Sequence, residues 1–227
     1  MYIAKARGTA PTLKERVYYQ MLESLMKGEL PPEEILNEKT LVERFGVSKS
    51  PIREALIELC NEGVLRSIPR YGYQVVRLTD SDVENIRDWR LVLECGYLKE
   101  RWSLITPHVI QRLEMLRLQD EREGEIHSIF VHWQRNSRFH LELFSSYDNS
   151  YATKQLDSAL RTLTRAYAQF YWDKWQNSII KCSSEYHYKF LEALRAGDRD
   201  ESINMLAKDI SQFHTHDTSA AYVKSIG

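Results

Sequence analysis

The chain has 227 residues, 43% of them hydrophobic and 28% charged, with a formal net charge of −1. Those proportions describe a soluble globular protein and exclude a disordered chain. They also exclude a membrane-spanning one, since no apolar run approaches the ~20 residues that a span needs. A near-zero charge by itself argues against bulk attraction to nucleic acid, so any DNA binding has to come from local placement of cations.

The length accommodates two domains. The opening MYIAKARGTAPTLKERVYY lacks the apolar core and small-residue cleavage site of a secretory signal. Cys60, Cys95 and Cys182 are odd in number and widely spaced, which suggests neither a disulfide framework nor a CxxC metal knuckle. A reducing, cytoplasmic location without membrane attachment is the expectation. Five of the six prolines precede residue 79, and residues 1–78 hold 12 Lys+Arg against 10 Asp+Glu, the remainder 19 against 22. The shift in composition divides the chain into residues 1–78 and 79–227.

In the first part Val17, Met21, Leu22 and Leu25 recur at helical spacing, predicting a helix from about Leu13 to Lys27. Gly28 and Pro31-Pro32 stop it. Asn37 is placed to cap a short helix that carries Leu41, Val42 and Phe45 inward, and Gly46 makes a turn. Ile52, Ala55, Leu56 and Leu59 then give the next helix a buried stripe. Gly63 ends that helix, and VLRSIPRYGYQVVRL reads as two short strands around an Arg70-Tyr71-Gly72 tip. Helix, helix, turn, helix and hairpin follow one another in winged helix-turn-helix order. After caps offered by Thr79-Asp80-Ser81, helices are predicted at about 81–103, 107–120, 125–147, 150–176, 178–196 and 199–214, an all-helical bundle. The fold class expected is mainly α: a winged helix-turn-helix domain over 1–78 and a helical bundle over 79–227.

The stretch FGVSKSPIREAL carries the functional signal. The second helix of a helix-turn-helix unit lies in the major groove with its N-terminal residues at base edges. Ser48, Lys49, Ser50 and Arg53 fit that need, because they sit away from the Ile52–Leu56–Leu59 stripe, with Lys49 and Arg53 four apart on one face. Either serine is placed to cap the helix, and Pro51 is tolerated in its first turn. Arginine forks onto guanine O6 and N7, whereas lysine is a point donor. Lys39 on the preceding helix and Arg70 at the hairpin tip extend the basic face.

Residues 38–76, with EKTLVERFGVSKSPIREALIELCNEGVL and the RYGYQVV wing, resemble the winged-helix domain of GntR-family bacterial transcription regulators. The family's core pattern of serine, cation, Thr or Ser, Pro, a branched residue, Arg, Glu and Ala is met by SKSPIREA. The resemblance implies contacts to double-stranded operator DNA from Lys39, Ser48, Lys49, Ser50, Arg53, Arg70, Tyr71 and Gly72. Arg is more usual at the positions of Lys39 and Lys49.

The C-terminal half resembles the all-helical (FCD-type) effector domain of the FadR-like branch, through IRDWRLVLECGYLKER, NSRFHLELFSSYDN, EYHYKFLEALRAGD and ESINMLAKDI. That resemblance implies a homodimer and a small organic acid as effector. Many members hold a divalent metal through one Asp and three His. Alignment by motif places Asn136 where Asp is usual, His140 and His187 where His is usual, and Asp209 where the last His is usual. A carboxylate lost at Asn136 thus reappears at Asp209. The expectation is either a Zn, Ni or Mn ion held by His140, His187, Asp209 and Asn136, or a metal-free polar site in which Asp209 hydrogen-bonds a histidine. His214 and His216 are expected to face solvent. Arg90 matches a frequent arginine, with two readings: a fork for an effector carboxylate, beside Asn136, His140 and His187, or an ion pair with Glu94. The cluster YAQFYWDKW is assigned mainly to core packing.

Two function classes follow. One is a ligand-responsive, dimeric transcription regulator that is not an enzyme. The alternative is a metal-dependent enzyme using His140, His187 and Asp209, although no HExxH, GxSxG, P-loop or dinucleotide fingerprint accompanies it.

Overall fold

A computed structural model describes residues 11–122, 129–175 and 185–211, by backbone alone at 129, 130, 132 and 171–175. The chain divides into two compact units, Met1–Leu78 with Tyr167–Trp172, and Thr79–Ala166 with Asp173–Gly227.

In the first unit, α1 (Leu13–Met26) starts at a capping box: Glu15 N–H donates to the Thr12 hydroxyl, and the Glu15 carboxylate accepts from Thr12 N–H at 2.8 Å. Asn37 caps α2 (Glu38–Phe45), its Oδ1 accepting from Thr40 N–H at 2.8 Å. Gly46 ends that helix at φ +64°. Next comes α3 (Lys49–Asn61), whose Ile52, Ala55, Leu56 and Leu59 are fully buried. Opposite this stripe lie Val17 and Met21 of α1, so the two helices share one core with Leu41, Leu65 and Val75. β2 (Leu65–Ile68) and β3 (Gly72–Val75) form the expected hairpin, with Ile68 paired to Gly72.

A third strand was not anticipated. β1 (Ile35–Leu36) pairs antiparallel with β3, giving the order β1-β3-β2. Two residues after a proline pair carry no readable alternation, so only the neighbouring strand reveals them. Gly72 is what permits this pairing. Its φ is +126°, and a Cβ there would fall 2.3 Å from the Leu36 carbonyl oxygen. Within the same unit, Gln169 donates to the Val76 carbonyl and accepts from Leu78 N–H, each at 3.0 Å.

The second unit opens with α4 (Asp80–Arg90), capped by Thr79 and Asp82 in a second capping box. The predicted single helix over 81–103 is interrupted. A π-helical turn at Leu91–Cys95 leads into α5 (Gly96–Glu100) and a 3-10 turn at Trp102–Leu104. The remaining elements are α6 (Pro107–Arg122), α7 (Ile129–Ser145), α8 (Ser150–Trp175), α9 (Glu185–Ala196) and α10 (Arg199–Ser211). The starts predicted near 125 and 178 and the end near 214 lie outside the described residues, as do Cys182, His214 and His216. Gly197, at φ +69°, closes α9, and Asp198 caps α10. Leu98, Leu113, Phe139, Leu143, Leu156, Phe190, Leu191 and Leu206 fill the core of this unit. Tyr167 of the aromatic cluster is buried, while the side chains of Tyr171, Trp172 and Trp175 lie outside the description. No described helix is long and apolar enough to cross a membrane.

Replacing Gly72 with alanine should cost about 1–3 kcal/mol in backbone strain alone, with displacement of β1 added to it. Urea unfolding followed by far-UV circular dichroism should show the midpoint fall, whereas alanine at the exposed neighbour Tyr71 should leave it in place.

Candidate functional site

Two groups of residues stand out, one exposed on the first unit and one buried in the second. The first surrounds the start of α3. Burial of the Ile52–Leu59 stripe turns the other side of the helix outward, leaving Ser48, Lys49, Ser50 and Arg53 exposed, and Lys39 is exposed on α2. Ser48 occupies the cap position with extended backbone, but its hydroxyl makes no capping hydrogen bond. The Ser50 hydroxyl donates to Glu54 at 2.9 Å. The expected serine cap is therefore not made by a side chain.

Lys39, Lys49 and Arg70 make no ion pair among the described residues. Arg53 does. Its Nε donates to Glu38 Oε1 at 3.0 Å and its Nη2 to Oε2 at 3.2 Å, a two-pronged grip by the first residue of α2. The Tyr73 hydroxyl reaches the same carboxylate at 3.5 Å. Hydrogen bonding from Arg53 is the main reason that the Glu38 carboxyl is held below the usual glutamate range. Glu38 was not singled out from the sequence, where it reads as an ordinary acid opening a helix.

At the wing tip, Pro69 and Arg70 occupy the middle of a turn closed by Tyr71 N–H donating to the Ile68 carbonyl at 3.0 Å. Arg70 takes φ +70°, a left-handed conformation that favours glycine or asparagine. Tyr71 is 71% exposed. Gly72 has a structural reason to be glycine, the close approach of Leu36, independent of any DNA contact.

The second group is a buried chain of charges. Arg90 Nε donates to Glu94 Oε1 at 2.6 Å, and Glu94 Oε2 lies 2.7 Å from His140 Nδ1. His140 Nε2 lies 2.8 Å from Asp209 Oδ2, and His187 Nε2 stands 3.5 Å from Asp209 Oδ1. Arg90, Glu94, His140 and Asp209 are all at least nine-tenths buried. Four elements supply them: α4 brings Arg90, the π turn Glu94, α7 His140 and α10 Asp209, while His187 comes from α9 and stacks on Phe139 with ring centroids 3.9 Å apart. Both readings of Arg90 have a counterpart here. The Glu94 pair is made, yet Arg90 Nη2 is buried without a partner among the described residues.

The electrostatics follow from the contacts. Burial would push Glu94 up, but Arg90 and His140 hold it below its usual range. Burial would favour neutral His140, yet Glu94 and Asp209 together outweigh that and raise its pKa. Asp209, despite complete burial, is drawn far down by His187 and His140. Beside them, burial and then Glu94 push the Cys95 thiol up to about 11, so it is an inert packing group.

His140, His187 and Asp209 present ligand atoms that all lie within 4.8 Å of one another. The set of two imidazole nitrogens and a carboxylate oxygen suits Zn, Ni or Mn. Unsatisfied polar atoms support that fit: among the described residues Asn136 Oδ1 is buried without a hydrogen-bond partner, and His187 Nε2 has only the Asp209 carboxylate, at the long distance of 3.5 Å. Asn136 lies one turn before His140 on α7 and makes no hydrogen bond to the other three. The Asp209–His140 hydrogen bond expected of a metal-free site is present as well, so the same side chains serve either state. What the sequence missed is Glu94 as partner to His140. It was considered only as a partner for Arg90, because i, i+4 spacing is visible in a sequence and a contact 46 residues away is not.

Comparison with known proteins agrees with this division. Residues 13–75 match the family described as "Bacterial regulatory proteins, gntR family", and residues 85–211 match the FCD domain. The gluconate operon transcriptional repressor of Bacillus subtilis is 31% identical over 156 residues, 66% of this chain and 61% of that one. An HTH-type transcriptional regulator of the same organism, YdhC, is 40% identical over 77 residues, 34% of each chain. The chain therefore spans less than two thirds of both relatives. The HTH-type transcriptional repressor RspR of Escherichia coli is 25% identical over 67% of each chain. In fold, the chain is similar to E. coli McbR/YncC, with a TM-score of 0.62 at 20% identity over 89% of this chain and 95% of that one. The named relatives are regulators and repressors, which sets aside the metal-dependent enzyme. The chain belongs to the GntR family of bacterial transcription regulators, in the FadR-like branch that joins this DNA-binding domain to an FCD domain.

Proposed function

We propose that this regulator binds double-stranded operator DNA as a homodimer, through Lys39, Ser48, Lys49, Ser50, Arg53 and the wing tip at Arg70–Gly72. The observation that carries this is the start of α3, where a fully buried stripe docks the helix and the hydroxyl and cationic side chains of its first turns stay exposed. Phosphate contacts suit Lys39, Lys49 and Arg70, while base contact suits Arg53.

Operator affinity is controlled by a small organic acid in the helical domain, where Arg90 Nη2, Asn136 Oδ1 and the two histidines offer buried groups still lacking partners or shared with a metal. His140, His187 and Asp209 would hold a divalent ion, with Asn136 as a neutral neighbour able to accept from the effector. The ion supplies a Lewis-acidic anchor for a carboxylate. Charge balance favours the same class of effector. With a divalent ion in place of the proton on His140, the buried set would carry one more positive charge, which a carboxylate would offset. An effector that prefers one conformation of the regulator shifts operator affinity by its differential binding energy.

DNA binding is tested by fluorescence anisotropy on the protein's own upstream region. Arg53→Ala should weaken binding about tenfold or more, and Arg70→Gly should lower the slope of log affinity against log salt by about 1 while its melting temperature holds or rises. Identical binding by wild type and Arg53→Ala would count against the assignment. For the metal, elemental analysis of untagged protein should find an ion that His187→Ala loses; no ion after supplementation would sink the site. In a thermal-shift screen of small carboxylates and sugar acids, a compound that stabilises wild type should fail on Arg90→Lys, which keeps the charge but not the fork.

A pH series separates the two states of the cluster. Stability contributed by charged His140 is complete below its unfolded pKa of about 6.5 and is lost as pH rises through its raised folded value. Chelator-treated protein should therefore melt lower as pH rises above about 6.5, and His140→Gln should flatten that slope. With metal present the trend reverses, because binding releases the His140 proton and strengthens with pH.

A further inference from the structure

The exposed face around α3 contains a carboxylate in an unfavourable place. Glu38 lies beside Arg53 and close enough to Lys49 to feel its charge, on the surface proposed above to meet a polyanion. A negative charge there opposes phosphate binding. An acid at the start of a helix is favoured by the helix dipole. That explains a carboxylate on α2, but not its two-pronged grip on an arginine 15 residues away on another helix.

The grip is directional. Glu38 takes the Nε and Nη2 edge of the Arg53 guanidinium. Nη1 has no partner among the described residues, and Nη2 keeps a second N–H, so the end-on edge remains available with the donor pair that guanine O6 and N7 accept. The Glu38 side chain is 17% exposed while that of Arg53 is 61% exposed, so the anchor is sheltered and the reading group projects. Tyr73 on β3 braces the same carboxylate from the wing. A free arginine would have to give up rotamer freedom on binding, whereas a clamped one has already done so.

We infer that Glu38 is a positioning residue for base readout: it aims Arg53 so that the pair, rather than Arg53 alone, selects guanine. This rests on the DNA-reading assignment above and adds the specificity determinant to it.

The test uses the full-length protein and the duplex that wild type selects from a random library. A second duplex carries 7-deazaguanine at the guanine whose replacement costs most, and poly(dI-dC) serves as non-specific DNA. For wild type the deaza substitution should weaken binding. In Glu38→Gln the selectivity for the selected duplex over the deaza duplex should fall about tenfold, within the range of one bidentate base contact. Affinity for poly(dI-dC) should hold or rise, since a negative charge has been removed. Glu38→Asp keeps the charge and the helix-start acid but is one methylene too short for the grip, and it should lose selectivity too.

Melting curves establish that both variants are folded. If Glu38→Gln and Glu38→Asp both retain wild-type selectivity, the inference is overturned. It is equally overturned if Asp behaves as wild type while Gln merely binds all DNA more tightly, because the role is then electrostatic. Should wild type select no sequence at all, the DNA-reading assignment itself falls and takes the inference with it.

Discussion

Removing ionised groups from water costs several kcal/mol each unless opposite charges and hydrogen bonds replace the solvent. The helical domain accepts that cost in one place. Arg90, Glu94, His140 and Asp209 form an unbroken chain of contacts between 2.6 and 2.8 Å. The contacts draw together α4, the π turn, α7 and α10, so the geometry of the candidate effector site depends on all four at once. Any ligand that changes the charge at His140 or Asp209 acts on an element at each end of the chain.

The π turn belongs to this arrangement. An extra residue in the turn shifts every later side chain around the helix axis relative to a regular α-helix, and such turns recur at functional sites. Here the turn contains Glu94, which keeps its i, i+4 pairing to Arg90 while its other oxygen meets His140. With Nδ1 of His140 committed to Glu94, Nε2 is the nitrogen left to face Asp209, and it is also the nitrogen a metal would take. The winged-helix domain uses the same device at its surface: Glu38 holds one edge of Arg53 and leaves another free. In both domains a carboxylate directs a cationic or ligating side chain by occupying part of its bonding capacity.

Much of the fold was legible because it rests on local chemistry. The caps at Asn37 and Thr79, the turn at Gly46, the buried stripe Ile52–Leu59 and the helix break at Gly197 each follow from residue type and spacing over a few positions. His140, His187 and Asp209 could be collected from motif resemblance, and they do lie together. Asn136 shares their helix neighbourhood but bonds to none of them. The β1 strand, the π turn, Glu38 and the second partner of Glu94 were not legible. The π turn is a local shift in backbone hydrogen bonding and the others are defined by neighbours on separate elements, and none leaves a period or a spacing to read.

By itself the sequence determined a winged helix followed by amphipathic helices, and which side chains of α3 face away from the core, because helical periodicity separates a buried stripe from an exposed face without reference to any other element. The tertiary structure decided which of the candidate cations is clamped and which are free. It also decided which nitrogen of His140 faces Asp209, and why residue 72 must be glycine. Those outcomes depend on distances between segments brought together only by packing: Glu38 with Arg53, Glu94 with His140, and Leu36 with Gly72.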